Sequence, residues 1–260
     1  MFEASVVAAG TSAVAWGQFA QLRKEPPRLG VELSGHFLKH ADEQTIVALQ
    51  AMARAIKQHD LDPRQMTEWG IVAAPRYIGR LAGASILDRF ARQGGSGVPP
   101  HAVAQNSLHS ISGAASIALG VHGPNVGVGG GPWAIGDGLA AALTLFDTSH
   151  VPGIWLLLTQ LDPEPLPDET GRPLNDSVCH AVALALVPGG AGESRLTLRP
   201  GTSVTRAAVA RWPEPTVAEI AACVRAADRG LVSRWACWLP WGGRVELRLT
   251  AAQQSLRAAA

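Results

Sequence analysis

The run Gly123-Pro124-Asn125-Val126-Gly127-Val128-Gly129-Gly130-Gly131-Pro132-Trp133 leads into Ala134-Ile135-Gly136-Asp137-Gly138-Leu139 and an alanine-rich stretch that closes at Phe146-Asp147. Three local signals follow one another here. Val126 to Gly130 reads as a short strand of small residues, a sharp turn follows it, and the residues from about Trp133 to Phe146 read as a helix. The first turn of such a helix carries unpaired backbone N–H groups and the positive end of the helix dipole, a setting that favours an anion or a thiolate. The residues at the turn do not exploit it. Gly131 and Pro132 have no nucleophilic side chain, and Pro132 has no N–H to donate.

Outward from this segment, strands and helices alternate. Ser5–Val14 reads as a buried strand, and a loop follows through Pro26-Pro27. Residues 41–59 form a helix, with Ile46, Leu49, Met52, Ala53 and Ile56 at helical spacing and Asp42 near its start. Trp69–Ala74 is a short strand ended by Pro75. A second helix spans Arg80–Arg92 and stops at Gly94-Gly95-Ser96-Gly97; a third spans Asn106–Leu119. Downstream, Ile154–Leu161 and Cys179–Val187 are apolar runs of the kind that strands buried on both faces show, separated by an Asp/Pro/Glu-rich loop over 162–176. The alternation predicts an α/β layered fold with a mostly parallel sheet over residues 1–188.

After Pro188 the pattern changes to that of a small α+β extension, 189–260. Arg195–Arg199 and Val204–Arg211 read as a hairpin around Pro200-Gly201. Thr216 and Glu219 form a capping box for a helix to Ala227, and Trp235–Leu249 reads as two strands joined at Gly242-Gly243. This segment holds Trp212, Trp235, Trp238 and Trp241, half of the eight tryptophans, residues common in both cores and interfaces.

Composition narrows the function classes. With 47% apolar and 17% charged residues the chain is a folded globular protein, and its formal charge of +1 argues against sequence-independent nucleic-acid binding. Charge is nevertheless uneven: residues 201–260 hold eight Arg against four acidic side chains. That excess reads as a solvated surface or as a dock for an acidic partner. Cys179, Cys223 and Cys237 lack metal-ligand spacing and imply neither a disulfide framework nor a metal site. Neither a leader nor a membrane span is evident, so a cytoplasmic protein is expected. The run Gly127-Val128-Gly129-Gly130-Gly131 fits neither a dinucleotide fingerprint nor a phosphate-binding loop, because Pro132 ends it and no Gly-Lys-Ser/Thr follows.

The quoted segment resembles the active-site segment of β-ketoacyl synthases of the thiolase fold. There a Gly-Pro-Ser, a short strand and an Ala-Cys precede a helix of small residues; here Gly123-Pro124-Asn125 falls on the first motif and Gly131-Pro132 on the second. Further landmarks agree in order: His40 to Gln44 through Ile56 and Leu61-Asp62-Pro63, then Trp69 to Val72, Pro100 and Asn106, Ser116 to Gly120, and Arg172-Pro173-Leu174-Asn175. The resemblance implies the N-terminal half of the family's fold, a layered α/β/α unit with a mostly parallel five-stranded sheet; the extension 189–260 then covers the apolar face that the missing half would cover, a partner subunit, or both. It also implies that Pro132 stands where the family has its nucleophilic cysteine, and that the histidines and lysine of the family's C-terminal half are missing. No residue is then catalytic, and no cofactor is called for.

A silent relative of this kind is a chain-length factor, which pairs with an active ketosynthase and shapes its acyl tunnel; short forms occur in aryl-polyene-type pathways. On that pattern the chain functions in polyketide or fatty-acid-type biosynthesis as one subunit of a heterodimer or heterotetramer, with acyl carrier protein a further partner and a homodimer the form open to it in isolation. Val126, Gly127, Val128, Gly129 and Gly130 are then interface residues. Gly83, Ile86, Leu87 and Phe90, on one face of the helix over 80–92, would close the partner's tunnel, or else pack on this chain's own sheet. Trp133 either plugs the vestigial pocket or is ordinary core. The alternative is a thiolase-fold acyltransferase or hydrolase using His109, His122 or Cys179.

Overall fold

The computed structural model describes residues 1–34, 36–168, 172–173, 176–189, 192–201 and 215–250. Eight strands form one sheet in the order β3-β2-β4-β5-β1-β6-β8-β7. They are β1 (Phe2–Ala15), β2 (Gly70–Pro75), β3 (Asn125–Gly127), β4 (Ile154–Asp162), β5 (Val178–Pro188), β6 (Arg195–Arg199), β7 (Ser233–Trp238) and β8 (Arg244–Leu249). Seven α-helices are described: α1 (Phe19–Leu22), α2 (Glu43–Gln58), α3 (Arg80–Gln93), α4 (His101–Gln105), α5 (Ser110–Leu119), α6 (Ala134–Ser149) and α7 (Val217–Asp228).

β3, β2 and β4 are parallel neighbours; β5 runs against both β4 and β1. Four of the five strands of residues 1–188 therefore point the same way, as a mostly parallel sheet requires, with β5 reversed. The extension continues the same sheet: β6 pairs with β1, β8 with β6 and β7 with β8, all antiparallel.

Two apolar layers sandwich this sheet. On one face α2 and α5 pack Ile46, Leu49, Met52 and Ile111 against Ile71, Trp155, Leu157 and Ala183. On the other, α6 and α7 pack Ile135, Leu139, Ile220 and Val224 against Val72, Leu156, Leu184, Leu196 and Leu247. Because β4 is covered on both sides, its residues from Ile154 to Leu161 are all buried, which accounts for its unbroken apolar run.

Local chemistry sets the ends of the helices. The Asp42 carboxylate accepts from the Gln44 N–H at 2.8 Å and caps α2, while Thr216 and Glu219 form the reciprocal capping box of α7. Buried Gln44 also ties α2 to the sheet, donating to the Arg76 carbonyl at 3.0 Å and accepting from the Thr159 hydroxyl at 2.8 Å.

The structure departs from the sequence reading in three places. β6 lies between β1 and β8, which occupy its two edges, and the expected partner strand 204–211 lies outside the described residues. The third helix begins at Ser110 rather than Asn106, because Asn106 ends α4 and its side-chain amide donates to the Ala102 carbonyl at 2.8 Å. The regular ladder of β3 stops at Gly127: Gly129 and Gly130 take φ of 83° and 96°, and the chain meets the line of β2 again in a single bridge between Gly130 and Arg76.

Candidate functional site

Among the described residues β3 is one edge of the sheet and pairs with β2 alone. Beyond it the chain is held by its own backbone: the Val128 N–H donates to the Ala73 carbonyl at 2.9 Å, and the Gly130 carbonyl accepts from Tyr77 N–H at 3.2 Å. A Cβ on Gly127 would stand 2.2 Å from the Leu108 carbonyl oxygen. The close approach that requires glycine there is thus internal to this chain, between β3 and the segment leading into α5.

After the turn, Pro132 and Trp133 bring the backbone into α6, with Asp137 in its first turn. Burial raises the Asp137 carboxyl above the ordinary carboxylate range, in spite of the favourable dipole end. Space over this turn is filled from far along the chain. A Cβ on Gly136 would meet Leu239 Cδ2 at 2.3 Å and Cys237 Sγ at 3.9 Å. Leu239 is fully buried and is pinned in the β7–β8 connection, donating its N–H to Gly243 O at 2.7 Å and accepting from Gly242 N–H at 2.9 Å. The start of α6 is therefore sealed by an aliphatic side chain. Trp133, half-buried, is not part of either core layer.

The helix α3 stands out from the body. Of its residues only Leu81 is buried; Gly83 faces open space, Ile86 is half-buried, and Leu87 and Phe90 are 69% and 54% exposed. The stripe does not pack on this chain's own sheet. Next to it in sequence, Val103 of α4 is 74% exposed. The arm that carries α3 is moored at a few points: the Gly79 N–H donates to the Asp42 carboxylate at 3.2 Å, Arg80 pairs with Glu164, and the rings of His40 and His101 stack 4.2 Å apart.

The residues an unrecognised enzyme would need are dispersed. His109 precedes α5 and His122 follows it, so about 15 Å of helix separates them. His109 Nδ1 lies 3.4 Å from the Ser112 hydroxyl, and the backbone N–H of His122 donates to Thr67 O. Cys179 is buried against α2, where desolvation and the carboxylates of Asp42 and Glu43 push its thiol far up. Cys237, beside the α6 turn, is pushed up to about 12 by burial and then by Glu219, so it holds no thiolate near neutral pH. Among the described residues no group of three or more His, Cys, Asp or Glu side chains could hold a metal ion, and no helix is long and apolar enough to cross a membrane.

Sequence reasoning located the turn, Pro132 and the apolar stripe of α3. It missed Leu239, which contacts α6 across about a hundred residues of chain and carries no local mark beyond a Leu-Pro after a strand. It also missed the Asp42–Gly79 tether, which joins a helix cap to a loop on another element.

No family model matches the sequence, and no curated protein matches it. Solved structures do share its fold. A ketosynthase in complex with its chain length factor from Xenorhabdus doucetiae aligns with a TM-score of 0.55 at 15% identity, covering 94% of this chain and 98% of that one. The ishigamide ketosynthase/chain length factor aligns with a TM-score of 0.55 at 14% identity, over 97% and 100% of the two chains. A β-ketoacyl synthase from Burkholderia phymatum gives 0.61 at 9% identity, over 97% and 100%. Each of these alignments covers nearly all of both chains.

Proposed function

We propose that this chain, which has the fold of ketosynthase and chain-length-factor structures, is a catalytically silent chain-length factor: it pairs with an active β-ketoacyl synthase and shapes that enzyme's acyl tunnel, in a polyketide pathway of the aryl-polyene type. The observation that carries the reading is the α6 turn. On the alignment that the resemblance implies, Pro132 takes the position of the family's nucleophile, and the buried Leu239 side chain lies against Gly136 in the first turn of the helix. Claisen condensation needs a nucleophile to hold the acyl chain and donors to stabilise the developing oxyanion. Gly131, Pro132 and Trp133 bring no nucleophilic side chain to the start of this helix, and burial holds the nearby Cys237 thiol protonated near neutral pH.

The remaining features suit a binding role. Among the described residues β3 has a partner on one edge only, which suits pairing across an interface formed by Val126 and Gly127 of the strand with Val128, Gly129 and Gly130 just beyond it. Gly83, Ile86, Leu87 and Phe90 of α3 project as an apolar stripe toward the partner's tunnel, and Trp133 blocks what remains of the pocket beside Pro132. Bulky α3 side chains would end chain growth early and small ones would extend it. In this role the partner ketosynthase, not this chain, would receive the acyl group from its carrier protein.

The test is co-expression with an active β-ketoacyl synthase from the same organism, followed by size-exclusion chromatography with mass determination and assay of the products. A stable mixed complex, with loss of product when this chain is omitted, is expected. A self-contained oligomer that ignores the ketosynthase refutes the proposal.

A further inference from the structure

The sheet ends on one side at β3 and on the other at β7, which among the described residues pairs with β8 alone. Sheets protect such an edge with lysines, prolines or bulges. β7 lacks these devices. The stretch Leu231-Val232-Ser233-Arg234-Trp235-Ala236-Cys237-Trp238-Leu239-Pro240-Trp241 carries one charged side chain, its proline lies beyond the strand, and the ladder with β8 keeps one register throughout. Leu231, Val232, Trp238 and Trp241 are all exposed, so this short stretch gathers four large apolar side chains at the surface.

The turn at the end of β7 shows which way its backbone points. The Leu239 N–H donates to Gly243 O at 2.7 Å, and hydrogen-bonded pairs alternate along an antiparallel ladder. Cys237, Trp235 and Ser233 therefore bond to β8, opposite Val245, Leu247 and Leu249. Arg234, Ala236 and Trp238 turn their N–H and C=O groups to the outer edge. The same three residues place their side chains on the exposed face, while Trp235 and Cys237 pack toward the α6–α7 layer.

We propose that β7 is a self-pairing edge, along which two copies of this chain join antiparallel about a two-fold axis through Ala236. An axis normal to the sheet keeps each face on its own side, so exposed residues meet exposed residues. Centred on Ala236, it sets Arg234 opposite the second copy's Trp238 and Ala236 opposite itself. All three outward-pointing residues then face outward-pointing residues and exchange backbone hydrogen bonds. An axis at Trp235 or Cys237 would leave Trp238 or Arg234 without a strand residue opposite, and one at Arg234 would set arginine against arginine.

The side chains agree with this register. Trp238 stands beside Arg244 of β8, whose guanidinium lies 5.9 Å from its ring centre. The second copy's Arg234 would flank the same indole from the other side, a further cation–π contact. At each end Leu231 and Val232 of one copy meet Pro240 and Trp241 of the other, so apolar side chains exposed in the single chain cover one another. Such self-complementarity is what an interface between identical chains requires. Because β3 lies at the opposite end of the sheet, pairing across β7 is independent of the ketosynthase partnership proposed above.

The experiment uses the full chain alone. Sedimentation velocity over a concentration series is expected to show a dimer. Ala236→Lys sets two like charges on the axis and is expected to weaken the dimer at least about tenfold, with an unchanged melting temperature because Ala236 is exposed. Oxidative cross-linking reads the register. Hydrogen-bonded antiparallel partners have Cα atoms about 5.5 Å apart, within disulfide reach, so Ala236→Cys is expected to give a covalent dimer. Arg234→Cys is expected not to, since position 234 and its symmetry mate stand four residues apart along the strands, about 13 Å. Both carry Cys237→Ala to remove the neighbouring thiol. If Ala236→Lys does not fold, the cysteine variants decide. A chain that stays monomeric throughout, a dimer indifferent to Ala236→Lys, no cross-link through position 236, or an equal one through position 234 overturns the proposal.

Discussion

Replacing Leu239 with alanine tests the seal over α6 directly. Leu239 is fully buried, and its Cδ2 occupies the place where a side chain on Gly136 would be. Truncation removes its apolar contacts and leaves a cavity, at a cost of about 2–5 kcal/mol. In a chain of this size that corresponds to a fall in melting temperature of roughly 5–15 °C. Gly136→Ala alone inserts a methyl against Leu239 at a cost of about 1–3 kcal/mol, partly offset by about 1 kcal/mol of gained helix propensity. In the double variant the new methyl enters the space that Leu239 vacates, so the two losses should not add. A favourable coupling of about 1–3 kcal/mol is expected from a double-mutant cycle followed by chemical denaturation. Additivity within about 0.5 kcal/mol would refute the contact, and with it the argument that the extension closes the start of α6.

Three further outcomes follow from other parts of the molecule. Leu87→Asp with Phe90→Asp should leave stability within about 0.5 kcal/mol of the native chain, because both side chains are exposed, yet abolish co-purification with a ketosynthase; retained complex would remove α3 from the interface. Gly127→Ala should destabilise by about 2 kcal/mol or more, since its Cβ meets the Leu108 carbonyl at 2.2 Å and backbone cannot yield as a side chain would; a neutral effect on the denaturation midpoint contradicts the packing described. Burial, and then the Glu43 carboxylate, push the Asp42 carboxyl up to about 7. Between the ordinary carboxylate range and that value the folded chain holds a proton the unfolded chain has lost, so this group withdraws stability as pH rises from about 4 to 7. Asp42→Asn does not titrate and keeps an acceptor for Gln44, so its stability relative to the native chain should rise over that interval by up to about 4 kcal/mol; denaturation curves at both ends showing no slope, or the reverse, refute the assignment.

Much of the fold is written locally. The caps of α2 and α7, the continuous apolar run of β4 and the glycine turn before α6 each rest on chemistry within a few residues: a carboxylate or hydroxyl reaching N–H groups two or three positions on, a strand whose two faces are both buried, and backbone at positive φ. Pro132 is equally legible, because the lack of a nucleophile and of an N–H are properties of the residue itself.

Only the assembled sheet decided the rest. Whether Arg195–Arg199 turned back on the next segment or lay between β1 and β8 depended on competition for strand edges, which no local pattern records. The α3 stripe has the spacing of a core-facing helix, and its exposure became apparent once α2 and α5 had filled that face of the sheet. Periodicity reports that an apolar face exists, not what covers it. Arg195, Arg199, Arg234, Arg244 and Arg248 follow the same logic: scattered through the sequence, they become one charged face through antiparallel register alone, since a shift of one residue would send them to the opposite side.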